Sequence, residues 1–312
     1  MENPFKYSDD NKRYHTLYYH NKHTFGSRIF KAVLDGGFTC PNKDGTCGFG
    51  GCTYCISGGS EFSGKGDILA QYNKEKERIF KKWGKVGLIP YFQSGTSTHA
   101  PLETLKKLFD EAVNFEDAVG LSIATRADCL DREKISYLKE LSQKTYLTVE
   151  LGLQTTFDKT AEIINRGHSF DTFLKTYSLL KEAGIRVCIH IINGLPFETK
   201  EMMIENAKIL GKLKPDGMKI HLLHIMEGSR IAEDFNNGVF EEMSFDDYID
   251  VVCRQLEYIP EETVIERITG DGSKDKLIAP LWSKNKIAVL GTIDKTLFER
   301  DTYQGKKSSA NY

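Results

Sequence analysis

Four of the chain's seven cysteines fall within one short stretch, CPNKDGTCGFGGCTYC, from Cys40 to Cys55. Cys52 and Cys55 form C-x-x-C, a spacing that lets two thiolates reach one metal centre. Cys40 and Cys47 are the other two candidates. The loop is rich in glycine, which permits the tight turns needed to wrap a chain around such a centre. Four ligands would fit tetrahedral zinc or an all-cysteine iron–sulfur cluster. Three would leave one iron of a [4Fe–4S] cluster open to another ligand. Structural zinc sites commonly use two paired knuckles, and this loop has one pair, so spacing favours iron–sulfur over zinc.

The elements that would position this loop alternate in a regular way. RIFKAVL precedes it, and GLIPYFQ leads to a helix near Leu102–Val113. AVGLSIAT leads to a helix near Arg132–Ser142, and YLTVELGLQ to TFLKTYSLLKEAG, where Gly184 is a good stop. IRVCIHIING leads to KEMMIENAKILGKL, and GMKIHLLHIM to SFDDYIDVVCRQLEYI. Six strand-then-helix units argue for an α/β fold, a parallel sheet covered outside by helices. Six units are too few for a closed eight-unit barrel. We therefore expect an open, partial (βα)6 TIM-type barrel over residues 27–258, with packed extensions at 1–26 and 259–312.

In such sheets the ligand lies at the C-terminal strand ends. There QSGTST follows the second strand, ATRAD the third and NGLPFET the fifth, while ELGLQ ends the fourth and HLLH lies on the sixth. Glu150 and Gln154, four apart on one strand, are expected on one face. Thr125, Arg126 and Asp128 follow the third strand, and His190, His221 and His224 lie on the fifth and sixth. His221 and His224 are three apart and should face opposite ways, so at most one of that pair acts in catalysis. Cys129, Cys188 and Cys253 sit among apolar neighbours and are expected to be buried.

The bulk numbers set wide bounds. With 312 residues, net charge −2 and 40% hydrophobic residues, the chain reads as an ordinary globular protein. Its near-neutral charge gives no global drive toward nucleic acid or membrane. The polar start MENPFKYSDDNKRY is not a signal peptide, and no apolar run is long enough to span a bilayer. A cytoplasmic location is expected, where clustered cysteines are more often ligands or redox groups than disulfides.

The cysteine loop is similar to the cluster loop of the YhcC/YtqA-type radical S-adenosylmethionine (SAM) proteins, relatives of the elongator catalytic subunit's radical SAM domain. The resemblance continues in YFQSGTSTHAP, GLSIATRADCL, ELGLQTTFDKTAEIINRGH, HIINGLPFET, KIHLLHIMEGS and ITGDGSKDKLIAPLWSKNK, and so covers nearly the whole chain. It implies that Cys40, Cys52 and Cys55, spaced C-x11-C-x2-C, carry three irons of a [4Fe–4S] cluster, and that Cys47 is not a ligand. It implies that SAM binds the fourth iron and yields a 5′-deoxyadenosyl radical that takes a hydrogen atom from substrate. Tyr54 then lies beside the adenine. Ser94, Gly95 and Thr96 occupy the place of the motif for the SAM amino group, without its usual acidic residue. Arg166 becomes a partner for the SAM carboxylate, since a planar guanidinium suits a carboxylate. Gly194 lets the backbone approach the adenine. The catalytic candidates are Glu150, Gln154 and His221.

The same resemblance implies a substrate. The understood relatives act on tRNA at the wobble uridine, and the YtqA-type members look like enzymes that take its carboxymethylaminomethyl side chain to aminomethyl. Lys12, Arg13, Lys22 and Arg28 with Tyr14, Tyr18 and Tyr19, and Lys306 and Lys307 in the tail, would track phosphates and stack on bases. An electron donor such as flavodoxin or ferredoxin is a further expected partner. Two alternatives stand beside this reading. One is radical chemistry on a small metabolite or peptide, and the other a non-catalytic zinc or iron–sulfur adaptor or electron carrier.

Overall fold

The computed structural model describes residues 3–56, 66–270, 272 and 275–308. The last four residues of the expected polar tail, and residues 271, 273 and 274 of the motif ITGDGSKDKLIAPLWSKNK, lie outside the described residues. The apolar runs become parallel strands in chain order: β1 (Ile29–Leu34), β2 (Gly87–Phe92), β3 (Gly120–Thr125), β4 (Tyr146–Gln154), β5 (Arg186–Asn193) and β6 (Gly217–Leu222). The helices are α1 (Leu17–Phe25), α2 (Ile68–Trp83), α3 (Leu102–Ala112), α4 (Arg132–Ser142), α5 (Asp158–Ile163), α6 (Phe170–Glu182) and α7 (Lys200–Lys212). After β6 come β7 (Ile225–Met226), α8 (Arg230–Asn236), α9 (Phe245–Tyr258), β8 (Val264–Ile268), β9 (Leu277–Ala279) and α10 (Lys286–Glu299).

Several helices start on a side chain that satisfies a first-turn N–H. Asp67, Asp131, Ser169, Thr199 and Ser244 each accept a hydrogen bond from the residue three ahead. Between the helices and the sheet lies a continuous core, in which Leu88, Ile123, Val149, Leu180 and Leu210 are fully buried. Cys129, Cys188 and Cys253 are buried as expected.

The sheet carries a seventh strand beyond the six expected units. β8 pairs in parallel with β6, giving the order β1-β2-β3-β4-β5-β6-β8 and a curled half-barrel. Its sequence, VIERI, falls in the segment read as a C-terminal extension. Glu266 and Arg267 interrupt its apolar character and hide it. The edges β1 and β8 do not pair with each other. The N–H of Ile265 on β8 instead donates to the carbonyl of His15 at 2.8 Å, so the N-terminal segment covers that edge.

This covering uses many of the residues expected to meet RNA. Arg13 is buried, and its Nη1 donates to Asp301 Oδ1 at 3.0 Å and to the Thr302 carbonyl at 3.3 Å. Tyr14 is buried in the core, Lys12 pairs with Asp294, and Lys307 pairs with Glu257. Lys22 pairs with Asp9 at 2.7 Å. Arg28 lies over the exposed rings of Tyr18 and Trp83, 5.1 and 5.0 Å from their centroids. Among the described residues, no helix is long and apolar enough to cross a membrane.

Candidate active site

The cysteine loop lies between β1 and α2 and is shaped by its own backbone. The Cys40 carbonyl accepts from the N–H of Lys43 and Asp44 at 2.8 and 3.0 Å. The Pro41 carbonyl accepts from Cys47 at 2.9 Å, and the Cys52 carbonyl from Cys55 at 3.0 Å. Neighbouring strand ends clamp these turns. Thr96 N–H, just beyond β2, donates to the Thr39 carbonyl at 2.9 Å. Asn165, after α5, donates through Nδ2 to the carbonyl of Gly51 at 2.7 Å, and its own carbonyl accepts from Asn42 Nδ2 at 2.6 Å.

Cys40, Cys52 and Cys55 line one cavity of about 1070 Å³, together with Asp35, Lys43, Gln93, Ser94 and Gly95. Cys47 is exposed and does not line it. Ser94 Oγ donates to Asp35 Oδ2 at 3.1 Å. Asp35 thus brings to the end of β2 a carboxylate that the second-strand motif lacks. Burial pushes the Cys55 thiol up, and Lys43 pulls it back down. Among the described residues, no three His, Cys, Asp or Glu side chains stand close enough to hold a single metal ion. Three thiols sharing one cavity wall beside a lysine fit a multi-iron cluster, whose separate irons each take one thiolate.

A second group lies next to Cys52. Tyr54 packs against the apolar cluster of Ile164, Ile192, Leu195 and Leu223, and burial pushes its hydroxyl well up, with Cys52 adding to the effect. Arg166 is buried, and both its Nε, at 3.0 Å, and its Nη2 donate to the Gly152 carbonyl. Arg126 holds Asp128 through two hydrogen bonds of 2.9 and 2.6 Å and donates Nη1 to the Arg166 carbonyl at 2.7 Å. Thr96, Tyr54, Arg166 and Gly194 do not line the cavity of the thiols. At Gly194 (φ +80°) a Cβ would stand 3.3 Å from Met243 Cβ, at the end of β5.

The lumen of the half-barrel is polar. Glu150 is fully buried and accepts from Tyr91 Oη at 2.8 Å, Lys31 Nζ at 2.5 Å and Lys219 Nζ, and it bonds His190 Nε2 at 2.8 Å. The His221 ring lies 5.4 Å from the His190 ring, and burial, with His190 and Arg267 next, keeps it neutral. His224 follows the end of β6, and burial pulls its imidazole down to about 4. Gln154 does not simply continue the face of Glu150. A bulge lies between Gly152 and Gln154, and Gln154 adopts φ +75°. A Cβ on Gly152 would stand 2.8 Å from Gln154 Nε2 and 3.4 Å from Arg166 Nη2, so these two side chains meet over the bulge.

Reading along the chain missed Asp35, Lys43 and Gln93 in the cavity, and Lys31, Tyr91, Lys219 and Glu266 in the lumen. A signal for the second set exists. Lys31, Glu150 and Lys219 interrupt largely apolar strands, and charges buried there must find partners.

Comparison with known proteins places this geometry in context. Residues 45–210 match the Radical SAM superfamily, and residues 215–299 match the Radical_SAM C-terminal domain. The chain is 50% identical over 309 residues to the uncharacterized protein YtqA of Bacillus subtilis (strain 168), covering 98% of this chain and 96% of that protein. It is 28% identical over 173 residues to a tRNA uridine(34) acetyltransferase of Methanocaldococcus jannaschii, covering 54% of this chain and 31% of that protein. Among solved structures, the archaeal Methanocaldococcus infernus Elp3 with an N-terminal deletion superposes with a TM-score of 0.69 at 18% identity. That match covers 89% of this chain and 64% of the other, and at this identity it concerns the fold.

Proposed function

The chain belongs to the radical SAM superfamily, and from that we propose that it takes the carboxymethylaminomethyl side chain of the tRNA wobble uridine to aminomethyl. Membership makes it a radical SAM enzyme that uses a [4Fe–4S] cluster and SAM. When bound, they supply a 5′-deoxyadenosyl radical that removes a hydrogen atom from the substrate. In the proposed reaction that hydrogen lies on the carbon between the side-chain amine and the carboxylate; a second electron then passes to a one-electron acceptor of the flavodoxin or ferredoxin class and a proton is lost, and water hydrolyses the resulting imine, so that the carboxymethyl group leaves as glyoxylate and aminomethyl remains.

The observation that carries the reading is the meeting of Cys40, Cys52 and Cys55 with Asp35, Ser94 and Gly95 on one cavity wall. In this reading the three thiolates hold three irons, and Lys43 offsets part of their negative charge. Asp35, oriented by Ser94, takes the amino group of SAM. Arg166 meets its carboxylate, while Tyr54 and Gly194 border the adenine. The tRNA substrate is supported by the relative that acts on uridine 34. The N-terminal features lend it less support, because Arg13, Tyr14 and Lys12 are used within the chain. A flavodoxin- or ferredoxin-class protein is the proposed electron donor.

The test starts with protein reconstituted without oxygen, reduced with dithionite and given SAM. Wild type and Cys47→Ala should release 5′-deoxyadenosine, and Cys52→Ala should not. tRNA from cells lacking the protein should accumulate the carboxymethylaminomethyl form. An unchanged wobble-uridine profile would reject the tRNA reading and leave the radical SAM assignment standing.

A further inference from the structure

The lumen of the half-barrel gathers many titratable groups, and two imidazoles among them are free to take a proton. Around the His190 ring on β5 stand Glu150 from β4, Lys219 and His221 from β6, Lys31 from β1, Tyr91 from β2 and Glu266 from β8. Burial opposes the charge on Lys31 and Lys219, and Glu150 and Glu266 overrule it, so both ammonium groups keep their protons. Burial, with Glu150 next, keeps the proton on Tyr91. The two carboxylates are occupied by these donors. His190 and His221 are left.

Their neighbours set the two rings apart. Ionised Glu150 can only accept, so the 2.8 Å bond to His190 Nε2 places the ring proton on that nitrogen. Nδ1 is then a lone-pair acceptor. It has no hydrogen-bond partner among the described residues, and the side chain is 15% exposed where Glu150 is fully buried. Burial, with Lys219 next, pulls His190 below its usual value, so the ring is neutral at neutral pH. Once Nδ1 takes a proton, the carboxylate on the other nitrogen stabilises the charge. His221 has no carboxylate bond, and Arg267 opposes a charge on it. The place of His190 along β5 matters as much. β5 pairs with β6 without a bulge from Cys188 to Asn193, so Ile192 follows His190 on the same face, about 7 Å nearer the strand ends. Ile192 belongs to the apolar cluster on which Tyr54 packs, beside Cys52. His190 thus lies one side-chain step below the position read above as the border of the adenine.

We propose that His190 Nδ1 takes the proton that the substrate amine loses during its oxidation, and that Glu150 positions the ring for it. The identity of the amine rests on the tRNA reading above. Removal of the hydrogen atom leaves a carbon radical beside a protonated nitrogen, whose positive charge holds the unpaired electron back. When His190 takes one N–H proton, the nitrogen lone pair stands next to the radical carbon. The electron then leaves to the flavodoxin- or ferredoxin-class acceptor, and a C=N bond forms. Water adds to that carbon and the C–N bond breaks. The two water hydrogens end on the nitrogen and the water oxygen on glyoxylate, so one proton in all remains on His190.

The test is a single-turnover assay of the reconstituted, reduced, SAM-loaded enzyme that reads glyoxylate formed per 5′-deoxyadenosine released. A ratio of this kind is not moved by a mere loss of folded or cluster-loaded protein. The substrates are tRNA from cells lacking the protein and, as a bare amino acid of the same kind, N-methylglycine. His190→Gln keeps a donor for Glu150 and loses the free ring nitrogen. It should still release 5′-deoxyadenosine, while the ratio falls by about a hundredfold. The wild-type ratio should fall as pH drops below the usual histidine value of 6.5, and that of the variant should not. In protein carrying isotopically labelled histidine, the NMR signal that His190→Gln removes should be that of a neutral ring with its proton on Nε2 at neutral pH. An unchanged ratio in His190→Gln, a fall in His221→Gln alone, or a ring proton on Nδ1 would each overturn the proposal and leave the tRNA reading standing where wild type converts the tRNA. If wild type converts N-methylglycine but not the tRNA, with the same dependence on His190, the tRNA reading fails and the proton acceptor stands. Glyoxylate from neither substrate would reject both.

Discussion

Lys31 on β1 and Glu266 on β8 meet at 2.7 Å across the open side of the half-barrel, where no strand pairing joins the two edges. Lys31 also reaches Glu150, which Lys219 contacts from β6, so one buried charge network spans the gap. Burial opposes the charge on Glu150, and Lys219 and Lys31 together overrule it, holding the carboxyl well below its usual range. Glu266 is held down in the same way, burial opposing and Lys31 prevailing. Both folded values lie below the unfolded one, so the stability they contribute is present above about pH 4.3 and lost as pH falls further. Glu150→Leu strands the buried ammonium of Lys219, while Lys31 keeps Glu266, and should cost about 3–5 kcal/mol at neutral pH. Denaturant unfolding at pH 6 and pH 4 should show a steeper acid loss in wild type than in Glu150→Leu. Equal losses would contradict the ionised network.

The same residues show what the sequence made legible. β1 to β6 stand out because their apolar runs are bounded by helix caps, and the cysteine loop because its ligand spacing is local. β8 was hidden because Glu266 and Arg267 serve the lumen and its edge instead of an apolar face. Asp35 and Ser94 lie 59 residues apart and meet through the parallel pairing of β1 with β2, which no local pattern encodes. The basic and aromatic N-terminus misled in the opposite sense. Composition reads Arg13 and Tyr14 as surface, whereas covering the β8 edge buries both.

Gly95 sits so close to the cysteine loop that a Cβ there would lie 2.2 Å from the Phe38 carbonyl oxygen. Its φ of +68° is also disfavoured for any residue with a side chain. The obstructing atom is backbone and cannot swing away. Gly95→Ala should therefore push the loop outward and cost about 2 kcal/mol or more. Iron per chain after reconstitution should fall along with the melting temperature. A fully loaded, equally stable variant would mean that the clamp between β2 and the loop is dispensable.

Asp35 is the carboxylate brought to Ser94 at the cavity of the thiols. If it receives the amino group of SAM, Asp35→Asn removes a charge-assisted hydrogen bond and should weaken SAM binding by about tenfold. Its Oδ1 also accepts from Gly37 N–H at 2.8 Å, and asparagine keeps an acceptor for that turn. Iron loading should therefore be unchanged. The check is a SAM titration of the reconstituted variant beside its iron content. Loss of both together would make Asp35 a structural residue of the loop.

Glu198 follows β5 and accepts a 2.5 Å hydrogen bond from Thr155 Oγ1 beyond β4, tying two strand-end loops together, while its Oε2 is buried without a partner. Burial raises its carboxyl to about 7, against the opposing bonds from Thr155 and Thr160. This is an acid whose folded value lies above the unfolded one of about 4.3, so the fold holds the proton more tightly than the unfolded chain does. The stability linked to that proton is complete below about pH 4.3 and lost as pH rises through about 7, opposite in sign to the Glu150 network. Glu198→Gln keeps the acceptor for Thr155 and cannot ionise. Wild type should lose melting temperature relative to this variant between pH 6 and pH 8, with the variant the more stable at pH 8. Parallel profiles over that range would mean that Glu198 is ionised in the fold at neutral pH, and that its Oε2 is reached by water.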